Sequence, residues 1–183
     1  MTELRRGRQT TIEATPEPIT IDTARTAVIV VDMQNDLGTK GGMFDRAGID
    51  IAPIQKVVTP ISKVLESARH AGLKAVYLKM GFRPDLSDLG PPDSPNRAHW
   101  KVFRIGEAMA APDGTQGRIL IRDTWNTRIV DELTPEPEDI VPTRPDTAAL
   151  QKLLHVCASV IWRPSLAAFL LRNSICCRRY RCS

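Results

Sequence analysis

The stretch VIVVDMQNDLGTKGG, residues 28–42, decides the fold. With Thr26 and Ala27 before it, its first part is a short, β-branched, apolar run, the pattern of a strand buried on both faces. Such strands belong to parallel sheets covered by helices. The run ends in Asp32, which puts a carboxylate where open parallel sheets keep their ligands, outside the C-terminal ends of the strands. An acid there also suits the cap of a following turn, and spacing alone leaves both readings standing. Gln34, Asn35 and Asp36 serve equally well as turn residues, and Gly41-Gly42 permits a tight backbone.

Working outward, Ile54, Val57, Val58, Ile61, Val64, Leu65 and Ala68 recur at helical spacing up to Gly72, which suits a helix end. Pro60 breaks this pattern and marks either the true helix start or a kink. LKAVYLKM, residues 73–80, follows at once as a second buried strand. Strand, helix and strand with short joints make a βαβ unit with a right-handed crossover. GFRPDLSDLGPPDSPN, residues 81–96, is a long loop of the kind that usually serves function. GRILIRD, residues 117–123, reads as a short strand or edge segment, residues 127–133 as a helical turn, and residues 139–141 as a further strand. The expected fold class is α/β, Rossmann-like, with a mainly parallel open sheet flanked by helices.

A chain of 183 residues with 42% apolar and 25% charged residues is expected to form one domain. Residues 1–20 are polar, have no apolar leader core, and read as a flexible arm before a single domain over 21–183. No run is long enough to span a membrane, so the expected compartment is the cytoplasm. The formal charge of +4 is unevenly spread. Residues 145–183 carry six basic side chains against Asp146, a net of +5, which leaves −1 for the first 144. The basic tail is interleaved with Cys and apolar residues rather than Gly, Ser or aromatics, so it does not read as a nucleic-acid arm. Cys157, Cys176, Cys177 and Cys182 all fall there too, without zinc spacing and with the three histidines far apart; neither a metal site nor another cofactor is expected.

VIVVDMQNDL and the later DTWNTRIVDELTPEPEDIV resemble the cysteine hydrolases of the isochorismatase-like superfamily. GPPDSPN and RILIRDTWNTRIVDEL are most similar to its ureidoacrylate amidohydrolases of pyrimidine catabolism. The resemblance spans roughly residues 15–144 and implies a Rossmann-like fold, an Asp-Lys-Cys triad, a small-molecule substrate and a homo-oligomer. It assigns Asp32 as general base and acid. Cys176 becomes the nucleophile, because NSIC, residues 173–176, stands where the family has a TNxC-like stretch. A thiolate at a helix N-terminus attacks an amide carbonyl, backbone N–H groups hold the oxyanion, and water then hydrolyses the acyl-enzyme. Cys176 also suits a small buried apolar position. Gln34 and Trp125 are the candidate substrate-binding residues, with packing beneath the loop the other reading for Trp125.

The family lysine is missing. It belongs just after DIV, in a segment resembling KxRYSGF, whereas this chain reads DIVPTRPDTAAL, and Arg144 is the nearest cation. Arginine keeps the charge but does not shuttle a proton. A frameshift accounts for the change. If residues 145–150 are encoded CCC GAT ACA GCG GCT TTA, reading from the third base gives Arg-Tyr-Ser-Gly-Phe. A similar shift turns residues 176–183 into Val-Asp-Ala-Thr-Ala-Ala. Within the atypical stretch 145–183, residues 145 to about 171 are then non-native and Cys176 is the last family-like residue, the sheet is incomplete at the C-terminus, and activity is weak or lost. Three functions follow: a metal-independent amidohydrolase cleaving a C–N bond of a ureido or carbamoyl compound; another superfamily hydrolase of the isochorismatase, carbamoylsarcosine amidase or nicotinamidase type; or an inactive remnant. The nicotinamidase type needs a histidine in GFRPDLSD, which has none.

Overall fold

The computed structural model describes residues 9–91, 93, 101–144 and 169–171. It opens with β1 (Gln9–Ile12) and β2 (Ile19–Asp22), which pair antiparallel with Gln9 opposite Asp22. The stretch expected as an arm over residues 1–20 thus holds β1 and the start of β2, and residues 1–8 lie outside the described residues. Ile19-Thr20-Ile21 of β2 alternates apolar and polar residues and buries Ile21, whereas Ile12 of β1 is exposed.

Then come β3 (Ala27–Val31), the short helices α1 (Asn35–Gly38) and α2 (Met43–Arg46), the long helix α3 (Ala52–His70) and β4 (Lys74–Met80). β3 and β4 are parallel, with Val28 opposite Ala75 and Val31 opposite Leu78, so the expected βαβ unit is present. Ile54, Ile61, Leu65 and Ala68 of α3 close over Val28, Val30, Ala75 and Tyr77, one continuous core with Met33, Ile129, Val130 and Leu133. Pro60 does not start the helix. It sits inside α3 on the exposed side, where the carbonyl that it leaves without an N–H donor is open to solvent at least cost. The helix stops at Gly72, whose φ of +78° disfavours side-chain-bearing residues.

β5 (Ala108–Ala110) and β6 (Gln116–Arg118) form an antiparallel hairpin. Trp125–Thr127 and Asp131–Leu133 are single 3₁₀ turns, in the region where a helical turn was expected. Residues 139–141 contribute only the bridge from Ile140 to Val76; the paired strand, β7 (Thr143–Arg144), comes slightly later. β8 (Phe169–Leu171) completes a four-stranded sheet of order β7-β4-β3-β8, parallel at each pairing. A second apolar cluster, with Met43, Phe82, Met109, Ile119, Leu120, Ile121 and Trp125, is built largely by connecting segments. The layout is α/β with a parallel sheet, as expected.

Candidate active site

The C-terminal edge of β3 and β4 is organised by the residues after Val31. Asp32 leaves the strand with φ +60°, a left-handed conformation that Asp tolerates better than most side chains, while its N–H still donates to Leu78 O at 2.8 Å. The backbone therefore turns out of the sheet at Asp32, and its half-buried side chain stands at the edge. Lys79 occupies the neighbouring level of β4, opposite Thr143. Burial lowers its pKa, and the charge of Asp123 opposes that shift. Arg144 pairs through its backbone with Met80. Asp32, Lys79 and the Arg144 backbone thus gather at one end of the sheet. Cys176 lies outside the described residues; β8 ends at Leu171, in register with Val30.

Gln34 is fully buried, and its amide is committed. Nε2 donates to Met80 O at 2.9 Å, and Oε1 accepts from Met80 N at 2.8 Å. The side chain carries on the β3–β4 hydrogen-bond ladder after the main chain has turned away at Asp32. In this arrangement the amide braces the end of β4. Trp125 is 7% exposed and packs within the second cluster. Its carbonyl accepts from Asn35 Nδ2 at 2.9 Å.

The residue that composition and spacing undervalued is Asp36. It is fully buried and accepts from Met43 N at 3.1 Å, Leu120 N at 2.6 Å and Asn126 Nδ2 at 2.6 Å. One carboxylate thereby ties α2, the stretch after β6 and the Trp125–Thr127 turn to the loop that starts at Asp32. The sequence signal was weak, the second acid of DMQND and an Asn 90 positions away. Close packing in the same loop explains Gly42, where a Cβ would stand 2.2 Å from Asn35 O. The long loop is fastened from the other side: Arg122 pairs with Asp88 at 2.8 Å and donates to Gly81 O, and Arg118 donates to Pro84 O. Among the described residues no cluster of His, Cys, Asp and Glu could hold a metal ion, and no helix is long and apolar enough to cross a membrane.

A parallel sheet with an acid at the end of its first strand, braced by a Gln and capped by a DTWNT turn, makes the candidate site of an open α/β sheet. The Isochorismatase domain model matches residues 26–155, and the chain belongs to that family. It is 42% identical over 131 residues to the ureidoacrylate amidohydrolase RutB of Agrobacterium fabrum, covering 72% of this chain and 56% of that relative. To the protein of the same name from Methylorubrum extorquens strain DM4 it is 41% identical over 135 residues, covering 74% and 53%. The chain therefore spans about half the length of these curated relatives. Among solved structures it is similar to a cysteine hydrolase from Pseudomonas syringae pv. phaseolicola 1448A. The TM-score there is 0.54 at 25% identity, over 75% of this chain and 56% of that one. An isochorismatase family protein from Desulfovibrio vulgaris shares the fold, with a TM-score of 0.51 at 22% identity over 73% and 62%.

Proposed function

We propose that the chain is a metal-independent cysteine hydrolase acting on an amide C–N bond of a small ureido compound resembling ureidoacrylate. The observation that carries this reading is the 42% identity to a ureidoacrylate amidohydrolase, together with Asp32 at the C-terminal end of β3. Topology supports Cys176 as its partner. Leu171 is paired with Val30, two residues short of Asp32, and five residues of chain then span at most about 17 Å to Cys176.

Asp32 takes the thiol proton as the Cys176 sulfur attacks the ureido carbonyl. The C–N bond breaks, the amine leaves with that proton, and the carbamoyl group remains on sulfur. Water, deprotonated by Asp32, then releases it as carbamate, which decomposes to ammonia and carbon dioxide. Arginine at position 144 keeps a positive charge but does not exchange a proton, so turnover is expected to be slow. This departure from the family lysine favours a second reading, an inactive relative.

Ammonia release from ureidoacrylate by the full chain tests both. Slow release that disappears in Cys176→Ala and falls at least a hundredfold in Asp32→Ala supports the hydrolase. A folded chain that releases no ammonia rejects it in favour of the inactive relative.

A further inference from the structure

Asp36 and Asn126 form an unusual buried pair. Both are 0% exposed. Asp36 Oδ1 accepts from Met43 N and Asn126 Nδ2, and Oδ2 accepts from Leu120 N. Asn126 Nδ2 serves Asp36 and, at 3.2 Å, the Met109 sulfur. Its other amide atom, Oδ1, is buried and has no hydrogen-bond partner. It is wedged against Gly117, where a Cβ would lie 2.5 Å from it. A buried acceptor without a donor is costly, and few folded proteins keep one without a reason.

A single proton resolves the mismatch. When Asp36 takes up a proton from water on Oδ1 and the Asn126 amide turns over, the new O–H donates to Asn126 Oδ1. One O–H bond forms at the carboxylate, the Asn126 Nδ2 hydrogen bonds to Asp36 and to the Met109 sulfur are given up as the amide turns, and the reverse step restores both and returns the proton to water. We propose that Asp36 is a positioning residue whose proton-coupled hydrogen bond with Asn126 gives the loop after Asp32 two alternative packings. In the ionised form Asn126 donates to the carboxylate; in the protonated form Asp36 donates to the turned amide.

The electrostatics agree with that geometry. Burial raises the Asp36 carboxyl to about 6, against the Asn126, Leu120 and Met43 hydrogen bonds and the Arg46 charge, which all lower it. Other charged groups on the surrounding elements are engaged elsewhere. Asp45 accepts from Gly41 N, Arg104 pairs with Glu107, Arg118 donates to Gly106 O and Pro84 O, Arg122 pairs with Asp88, Arg128 pairs with Asp113, and Asp123 acts on Lys79.

The consequence for turnover rests on the reading of Asp32 as the acid–base residue; the switch itself does not. The test is therefore made on stability, in the full chain and its Asp36→Asn variant, from pH 4 to pH 8. The native carboxyl, at about 6, lies above its ordinary value of 3.8. The folded state thus holds a proton that the unfolded chain has already lost. Asp36 then contributes most below pH 4, and that contribution is lost as pH rises through 6. The folding equilibrium constant of the wild type relative to the variant should fall about thirtyfold between pH 4 and pH 6, about twofold more above pH 6, and then stay level. In Asp36→Asn the new amide donates permanently to Asn126 Oδ1, so this fall should be absent.

Parallel pH profiles for the two proteins would overturn the proposal. Should the variant not fold, wild-type NMR decides. The Asp36 carboxyl carbon should titrate near 6 together with a change in the Asn126 side-chain amide signals. Titration near 4, or an unresponsive Asn126, rejects the switch. Neither readout needs turnover, so a chain without amidase activity leaves them decisive.

Discussion

At the scale of single residues, the loop after β3 shows how neighbouring polar side chains divide their work. Asp32 turns the backbone away from the sheet, and Gln34 replaces the ladder hydrogen bonds that this departure would strand. The Met80 N–H and C=O therefore depend on one side chain. Gln34→Ala removes both partners and opens a space where the amide was. Leaving buried main-chain groups unpaired costs about 1–3 kcal/mol each, so a loss of about 3 kcal/mol is expected. Urea unfolding should show it as a lower midpoint with an unchanged slope. A drop below about 0.5 kcal/mol would mean that water reaches Met80 and that Gln34 is free for other work.

At the scale of elements, α3 aligns the segment that leads into β7. Arg69, in its last turn, pairs with Asp139 at 2.6 Å and Glu136 at 3.1 Å and donates to the Tyr77 hydroxyl at 3.2 Å. The Asp139 side chain is only 5% exposed, against 24% for Arg69 and 60% for Glu136, so the Asp139 bond carries most of the effect. It fixes residues 136–139 just before Ile140 pairs beside Val76, and that in turn delivers Arg144 to the level of Met80. Arg69→Met strands a buried carboxylate and should cost about 2–4 kcal/mol. Arg69→Met combined with Asp139→Leu should recover part of that loss, because no buried charge is then left unpaired. Thermal unfolding of the single and double variants separates the two costs; a double variant no better than the single would show that the attraction, not the stranded charge, dominates.

At the scale of the whole molecule, the two larger apolar clusters share Phe44. One lies between β3, β4 and α3; the other sits largely under the segments after β4 and carries the capping loops. The family match begins at residue 26 and runs to residue 155, crossing the change in composition near Pro145. That change, with its clustered Cys and Arg and single acid, is what the frameshift expected from the sequence would produce. The coding DNA tests this: a one-base insertion or deletion near codon 145 should restore Arg-Tyr-Ser-Gly-Phe. If no single-base change does so, residues 145–183 are genuine sequence and Arg144 is a true replacement for the lysine.

By itself the sequence determined the βαβ unit, the end of α3 at Gly72 and the position of Asp32 at a strand terminus. These follow from short-range patterns, an uninterrupted β-branched run, helical spacing and a left-handed glycine, that need no distant partner. Tertiary structure alone decided what the polar residues after Asp32 do. Val28 through Val31 declare their burial by composition, whereas Gln34, Asn35 and Asp36 look like a solvated turn until Met80, Trp125, Leu120 and Asn126 arrive from 46 to 90 residues away. A buried polar group is intelligible only with its partner, and no local pattern names that partner. So VIVVDMQNDL advertised one acid at a site edge, and only the fold revealed a second acid, sealed from water, on which the same loop is fastened.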